Sequence, residues 1–174
     1  GAGVVIIAAN MHAFVALHED GAVSVWGEPG AGGSTDPGPI TFTDWWGNDA
    51  ATYVGAPSSG TIPAAGAGVV RIASAEWAFA ALHADGTLSA WGHTGNGGLA
   101  PDVGGLAAAV SIASSRHGFA VLHADGSVTS WGNAGGAPAS VTSPSAASPV
   151  VEVAGAAGGS AFCALLVQPP PPPP

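Results

Sequence analysis

One unit of sequence recurs in this chain and decides what it can fold into. Residues 4–27 read VVIIAANMHAFVALHEDGAVSVWG, residues 69–92 read VVRIASAEWAFAALHADGTLSAWG, and residues 109–132 read AVSIASSRHGFAVLHADGSVTSWG. A fourth copy opens at Val150 as VVEVAGAAGGSAFCALL, carries two extra residues before its phenylalanine, and lacks the second half. Phe14, Phe79, Phe119 and Phe162 hold one position of the unit. Asp20-Gly21, Asp85-Gly86 and Asp125-Gly126 hold another, and Trp26, Trp91 and Trp131, each followed by glycine, close it. A fixed repeat of this kind means one supersecondary element per copy, too small to bury its own apolar faces, so that neighbours must cover them.

Each copy translates into strands. The apolar stretch VVxIA passes through a polar break into a second strand ending in Leu-His. Asp-Gly reverses the chain, since glycine accepts positive φ without steric cost. The third strand then alternates Val23 and Val25 with Ser24 and Trp26, a period of two with distinct faces. The unit reads as a three-stranded antiparallel meander, with room for a short fourth strand in the connector. The predicted fold class is therefore all-β: small antiparallel meanders in an open or partial array, ending in a polyproline II tail. The segments are repeat 1 (1–27), an insertion (28–68), repeat 2 (69–92), a connector (93–108), repeat 3 (109–132), a Ser/Pro/Ala linker (133–149), incomplete repeat 4 (150–167) and the tail (168–174). The insertion accounts for tryptophan spacings of 65 and then 40 residues, and reads as an added hairpin or a degenerate unit.

Charge removes several function classes. The 174 residues include no lysine; Arg71 and Arg116 are the cations against eleven carboxylates, for a net charge of −9. Nucleic-acid binding needs clustered cations to displace counterions from phosphate, and a basic membrane-surface patch needs the same. No apolar run approaches the length of a membrane span, so membrane insertion is not expected. Charged residues make up 7 % of the chain, against about 25 % in ordinary domains. So weakly charged a surface points either to packing against copies of itself or to a coat of sugars. The chain starts at Gly1 without a signal-peptide pattern, which suggests a processed protein or a segment of a longer one.

Candidate chemistry is sparse. His18, His83 and His123 share one repeat position and His12 and His117 another, so equivalents lie on separate units rather than around one ion; a structural role is expected, with no metal and no cofactor. The turn aspartates are expected to accept local backbone N–H groups. Cys163 aligns with Val15, Ala80 and Ala120, and so reads as an inert buried thiol. Trp26, Trp91 and Trp131 read as packing residues between units, whereas Trp45, Trp46 and Tyr53 in the insertion are candidate contacts for a partner or sugar. No set of residues suggests an enzyme. Asn10, Asn48, Asn96 and Asn133 lie outside any N-x-[ST] pattern, so glycosylation would be O-linked.

The segments AFVALHEDGAVSVWG, AFAALHADGTLSAWG and GFAVLHADGSVTSWG resemble repeats of the regulator-of-chromosome-condensation family, in the short form found in large surface proteins of microbes and algae. The resemblance covers about 90 residues and implies β-propeller blades. The chain departs from the family in its short repeat, in the looser Gly-Gly after each Trp-Gly, and in having too few units for a ring. Fold does not transfer function, so the founding member's nucleotide-exchange and chromatin roles are not carried over. The proline run Pro169, Pro170, Pro171, Pro172, Pro173 and Pro174 resembles hydroxyproline-rich glycoproteins of green algae. That resemblance implies modification there and on Ser143, Ser145 and Ser148. The expected role is a structural subunit of an extracellular filament, flagellar appendage or surface coat, with other copies of the chain as partners. Phe162, Ala164 and Leu165 mark the strand through which it would associate. The alternative is a propeller-like binding module for carbohydrate or protein.

Overall fold

A computed structural model of the chain describes residues 3–33, 40–43, 49–53, 62–63, 67–102, 106–133, 140–141, 150–156 and 158–166. These residues form strands and two single 3-10 turns. Unit 1 is the meander β1 (Val4–Ala9), β2 (Ala13–His18) and β3 (Val23–Gly27). An inserted hairpin follows, β4 (Ile40–Thr43) with β5 (Asp49–Tyr53). Unit 2 is β6 (Val69–Ala75), β7 (Ala78–His83) and β8 (Leu88–Gly92). Unit 3 is β9 (Ala109–Ser115), β10 (Gly118–His123) and β11 (Val128–Gly132), with the two-residue β12 (Ser140–Val141) on its outer edge. Unit 4 is the pair β13 (Val150–Gly155) and β14 (Phe162–Leu166).

All pairings are antiparallel, and the register repeats. Phe14 faces Trp26, Phe79 faces Trp91 and Phe119 faces Trp131 across the second and third strands, with ring centroids 5.3 to 5.7 Å apart. Between the first and second strands each unit slips register at its second residue. This bulge carries Val5, Val70, Val110 and Val151, all exposed. The turn aspartates act as expected: Asp20 accepts the Ala22 N–H at 3.0 Å, Asp85 that of Thr87 at 2.9 Å, and Asp125 that of Ser127 at 2.9 Å.

The units stack face to face, with the first strands β1, β6, β9 and β13 side by side. Because successive residues of a strand point to opposite faces, one strand serves two junctions. Ala13, Val15, Leu17 and Val25 pack on Val69, Phe79, Ala81 and Trp91 of unit 2. Unit 2 turns Ala78, Ala80, Leu82 and Ala90 to Ala109, Ile112, Phe119, Val121 and Trp131 of unit 3. Ala120, Leu122 and Val128 then meet Val150 and Val153 of unit 4. Backbone bonds between inner turns run along the stack: Met11 N–H to Glu76 O at 3.4 Å, Glu76 N–H to Arg116 O at 2.8 Å, and Arg116 N–H to Gly159 O at 2.9 Å.

Candidate functional site

The closing tryptophan of each inner unit is a lock on the unit before it. Trp91 Nε1–H donates to Gly32 O at 3.0 Å, and Trp131 Nε1–H donates to Gly97 O at 3.0 Å. Each acceptor belongs to the glycine pair that follows the preceding Trp-Gly. Gly32 and Gly97 stand at φ +86° and +89° and lie so close to the Phe/Trp pair that a Cβ there would collide with the rings. The looser Gly-Gly noted in the sequence is thus the socket for the next unit's tryptophan. Trp91 and Trp131 are 0 % and 4 % exposed.

The histidines before the turns hold each meander together. His83 Nδ1–H donates to Ala67 O at 2.7 Å, and its Nε2 accepts the Ser89 hydroxyl at 2.8 Å. His123 repeats this with Ala107 O at 2.6 Å and the Thr129 hydroxyl at 2.9 Å. A carbonyl only accepts, so the bond to it fixes Nδ1 as the protonated nitrogen. The second strand is thereby tied at once to the third strand and to the segment entering the first. His18 keeps the equivalent bond to Ser24, at 2.8 Å.

The inner turns carry a polar clamp that the sequence did not announce. Arg116 donates from Nε and NH2 to the two Glu76 oxygens, both at 2.9 Å. His117 Nε2 lies 3.1 Å from Glu76 Oε2, and its Nδ1 lies 2.8 Å from Ser160 Oγ. One unit further back, His12 stacks on Trp77 at 4.2 Å between ring centroids and lies 3.3 Å from Glu28. Hydrogen bonding from Arg116 holds the Glu76 carboxyl below its usual range, and the same bond raises the Arg116 guanidinium. Ser160, His117 and Glu76 are the residue types of a hydrolytic triad. Both oxygens of this carboxylate also accept from the Arg116 fork. The set acts as a clamp across units 2, 3 and 4. Beside it lies an open recess of about 610 Å3 that Asn10, Glu76, Ser115 and Arg116 help to line. The signal for the clamp was opposite charge at adjacent copies of one repeat position, since Met11, Glu76, Arg116 and Gly159 are equivalent.

At the two ends the repeat rule leaves faces uncovered, and two sequence expectations need correction. Trp26 and Phe14 stack on each other as in the inner units, but are 42 % and 45 % exposed, so Trp26 is not packed between units. Cys163 is exposed rather than buried, because among the described residues no further unit covers the face on which it sits. Ala164 and Leu165 are exposed beside it, and Phe162 is half-buried against unit 3. Among the described residues no cluster of three or more metal-ligating side chains forms, and no helix is long and apolar enough to cross a membrane. Tyr53 ends β5 opposite Ile40. Trp45, Trp46, Ser143, Ser145, Ser148 and Pro169 to Pro174 lie outside the described residues.

No family model matches the chain, and no curated protein matches it. Solved structures do. Human WBSCR16 aligns over 95 % of this chain and 46 % of its own, at 20 % identity and a TM-score of 0.61. Prp20p of Saccharomyces cerevisiae, in a structure described with its binding to Gsp1p and histones, aligns over 95 % of this chain and 44 % of its own, at 17 % identity and a TM-score of 0.59. The ectodomain of the Physcomitrella patens receptor kinase CR4 aligns over 95 % and 39 %, at 16 % identity and a TM-score of 0.56. The chain spans less than half the length of each. At these identities the likeness concerns the fold: the repeats are RCC1-like, and the units are β-propeller blades in an array that does not close.

Proposed function

We propose that this chain is a structural, non-catalytic subunit of an extracellular filament, flagellar appendage or surface coat, and that it assembles by associating with itself. One observation carries the reading. Leu165 is 58 % exposed, whereas Leu17, Leu82 and Leu122, at the same repeat position, are 3 %, 4 % and 5 % exposed. Among the described residues, unit 4 therefore presents an uncovered core face, and β14 presents a strand edge that its counterparts β2, β7 and β10 use to bind a third strand. The scarcity of surface charge favours the same reading, since such a surface resists association poorly. Extracellular placement and O-linked sugars on the linker and tail are supported by the proline run and by Ser143, Ser145 and Ser148. The test is sedimentation of the intact chain against a truncation after Ser160. The intact chain should associate, and the truncated one should remain a folded monomer. An intact chain that stays monomeric at high concentration, or a truncated chain that still assembles, overturns the reading.

A second reading has its own support. The matched structures include receptor-kinase ectodomains and Prp20p, whose structure is described with protein partners, so a protein- or carbohydrate-binding module of a larger propeller is the alternative. A monomeric chain that captures a defined partner through its loops would favour it.

A further inference from the structure

Four positions of unit 1 that are buried or half-buried in later units stand open: Val4, Ile7, Phe14 and Trp26. Their equivalents are the leading face by which a unit packs on the one before it, namely Val69, Ala109 and Val150; Ile112 and Val153; Phe79 and Phe119; Trp91 and Trp131. Ile7 is 65 % exposed, against 6 % for both Ile112 and Val153. Unit 4 lacks the reverse. Cys163 and Leu165 occupy the trailing positions that in units 1 to 3 are filled by Val15, Ala80 and Ala120, and by Leu17, Leu82 and Leu122, all buried beneath the next unit. Among the described residues, one end of the stack thus offers an uncovered leading face, and the other an uncovered trailing face.

We infer that these two faces are the halves of one junction, formed between two copies of this chain, with unit 4 of one copy seated on unit 1 of the other. This rests on the self-association proposed above and names its partner surface. The occupant follows from the chain's own interior, where the trailing positions of Cys163 and Leu165 and the leading positions of Val4 and Ile7 meet at three junctions. The trailing face of unit 4 carries one charged side chain, exposed Glu152 opposite Leu165, at the position that exposed Arg71 holds opposite Leu82 at the junction of units 2 and 3. A contact between unlike faces propagates into a fibre unless the rotation closes. Here it closes early: 95 % of this chain follows 44 to 46 % of each of two matched chains, so two copies span about the length of one of them. The unit of assembly is a closed pair with two identical junctions.

Ile7→Asp and Leu165→Asp test this, since both side chains are exposed in the single chain and either variant can fold; circular dichroism checks that it has. Sedimentation equilibrium of the intact chain should give twice the 16.6 kDa chain mass. Each variant alone damages both junctions and should weaken pairing by roughly a hundredfold or more, because a carboxylate is buried without a partner. An equimolar mixture should recover a two-chain species, since one junction then joins an intact unit 1 to an intact unit 4. Cys163 should react with a thiol reagent at least about tenfold more slowly in the pair than in either monomeric variant. If Leu165→Asp dissociates the chain while Ile7→Asp does not, unit 4 binds some other surface, and this inference fails while self-association stands. Assemblies that neither variant weakens overturn the junction, and a monomeric intact chain overturns both readings.

Discussion

Replacing Gly97 with alanine should break the stack between units 2 and 3, and the cost can be worked from two terms. Gly97 sits at φ +89°, a conformation that costs an L side chain about 1–2 kcal/mol. Its new Cβ would also lie 2.8 Å from Phe119 Cδ2 and 3.2 Å from Trp131 Cδ1. Both rings are buried and cannot swing away, so overpacking adds about 1–3 kcal/mol. The total is about 2–5 kcal/mol. Gly68 is the matched control: its φ is +69°, but nothing lies within 4 Å of a Cβ built on it. Gly68→Ala should therefore lose only the conformational term, about 1–2 kcal/mol. Urea unfolding followed by tryptophan emission measures the gap, provided the slopes agree and the midpoints alone move. Gly32→Ala should behave like Gly97→Ala, since its Cβ would stand 2.9 Å from Trp91 Cδ1 and 3.0 Å from Phe79 Cδ2. Equal losses at Gly97 and Gly68 would show that the Gly-Gly loop is an ordinary turn and not a socket.

His123→Ala removes both bonds of a buried ring and should cost about 2–4 kcal/mol, while His18→Ala, at a half-buried copy of the position, should cost less than about 1 kcal/mol; equal costs would sink the stapling role. The Asp85 and Asp125 carboxyls are lowered, first by the hydroxyls of Thr87 and Ser127 and then by their N–H groups. A depressed folded-state pKa contributes stability above the unfolded aspartate range, and that stability is lost as pH falls through the folded value. The melting temperature should therefore drop below about pH 4, and joint Asp85→Asn and Asp125→Asn substitution should flatten that drop; an acid limb as steep in the double variant as in the parent refutes it. Mass spectrometry of C-terminal peptides from native material should find additions on Pro169 to Pro174 or on Ser143, Ser145 and Ser148, and bare peptides would remove the glycoprotein claim.

The meander was legible because its cues are local. Asp-Gly sets the reversal, alternation assigns faces, and Phe opposite Trp fixes register, so sequence alone placed the strands of each unit. Exposure at the ends was not legible, because it belongs to the neighbour and not to the residue. Trp26 and Trp91 have the same sequence surroundings, yet Trp91 packs on unit 1 and Trp26 stands exposed; Cys163 looked buried because it was aligned with Val15, Ala80 and Ala120, each of which packs beneath the next unit. The Glu76–Arg116–His117 clamp was missed for a related reason. It is built from positions where the copies differ, and aligning copies to find what they share discards the pairing between adjacent ones.

The two tryptophan locks have the same 3.0 Å geometry although 59 residues separate Trp91 from Gly32 and only 34 separate Trp131 from Gly97. Chain length between the anchors is therefore uncoupled from the junction they form. For a flexible loop the entropy of bringing the ends together rises as the logarithm of length, so the longer closure costs only about 0.5 kcal/mol more than the shorter. Most of a blade's worth of extra sequence has entered between units 1 and 2 at less than the worth of one hydrogen bond. The loop after a Trp-Gly socket is on this account a port, where the array can take on a hairpin, a binding loop or an added segment without re-cutting the surfaces that hold it together.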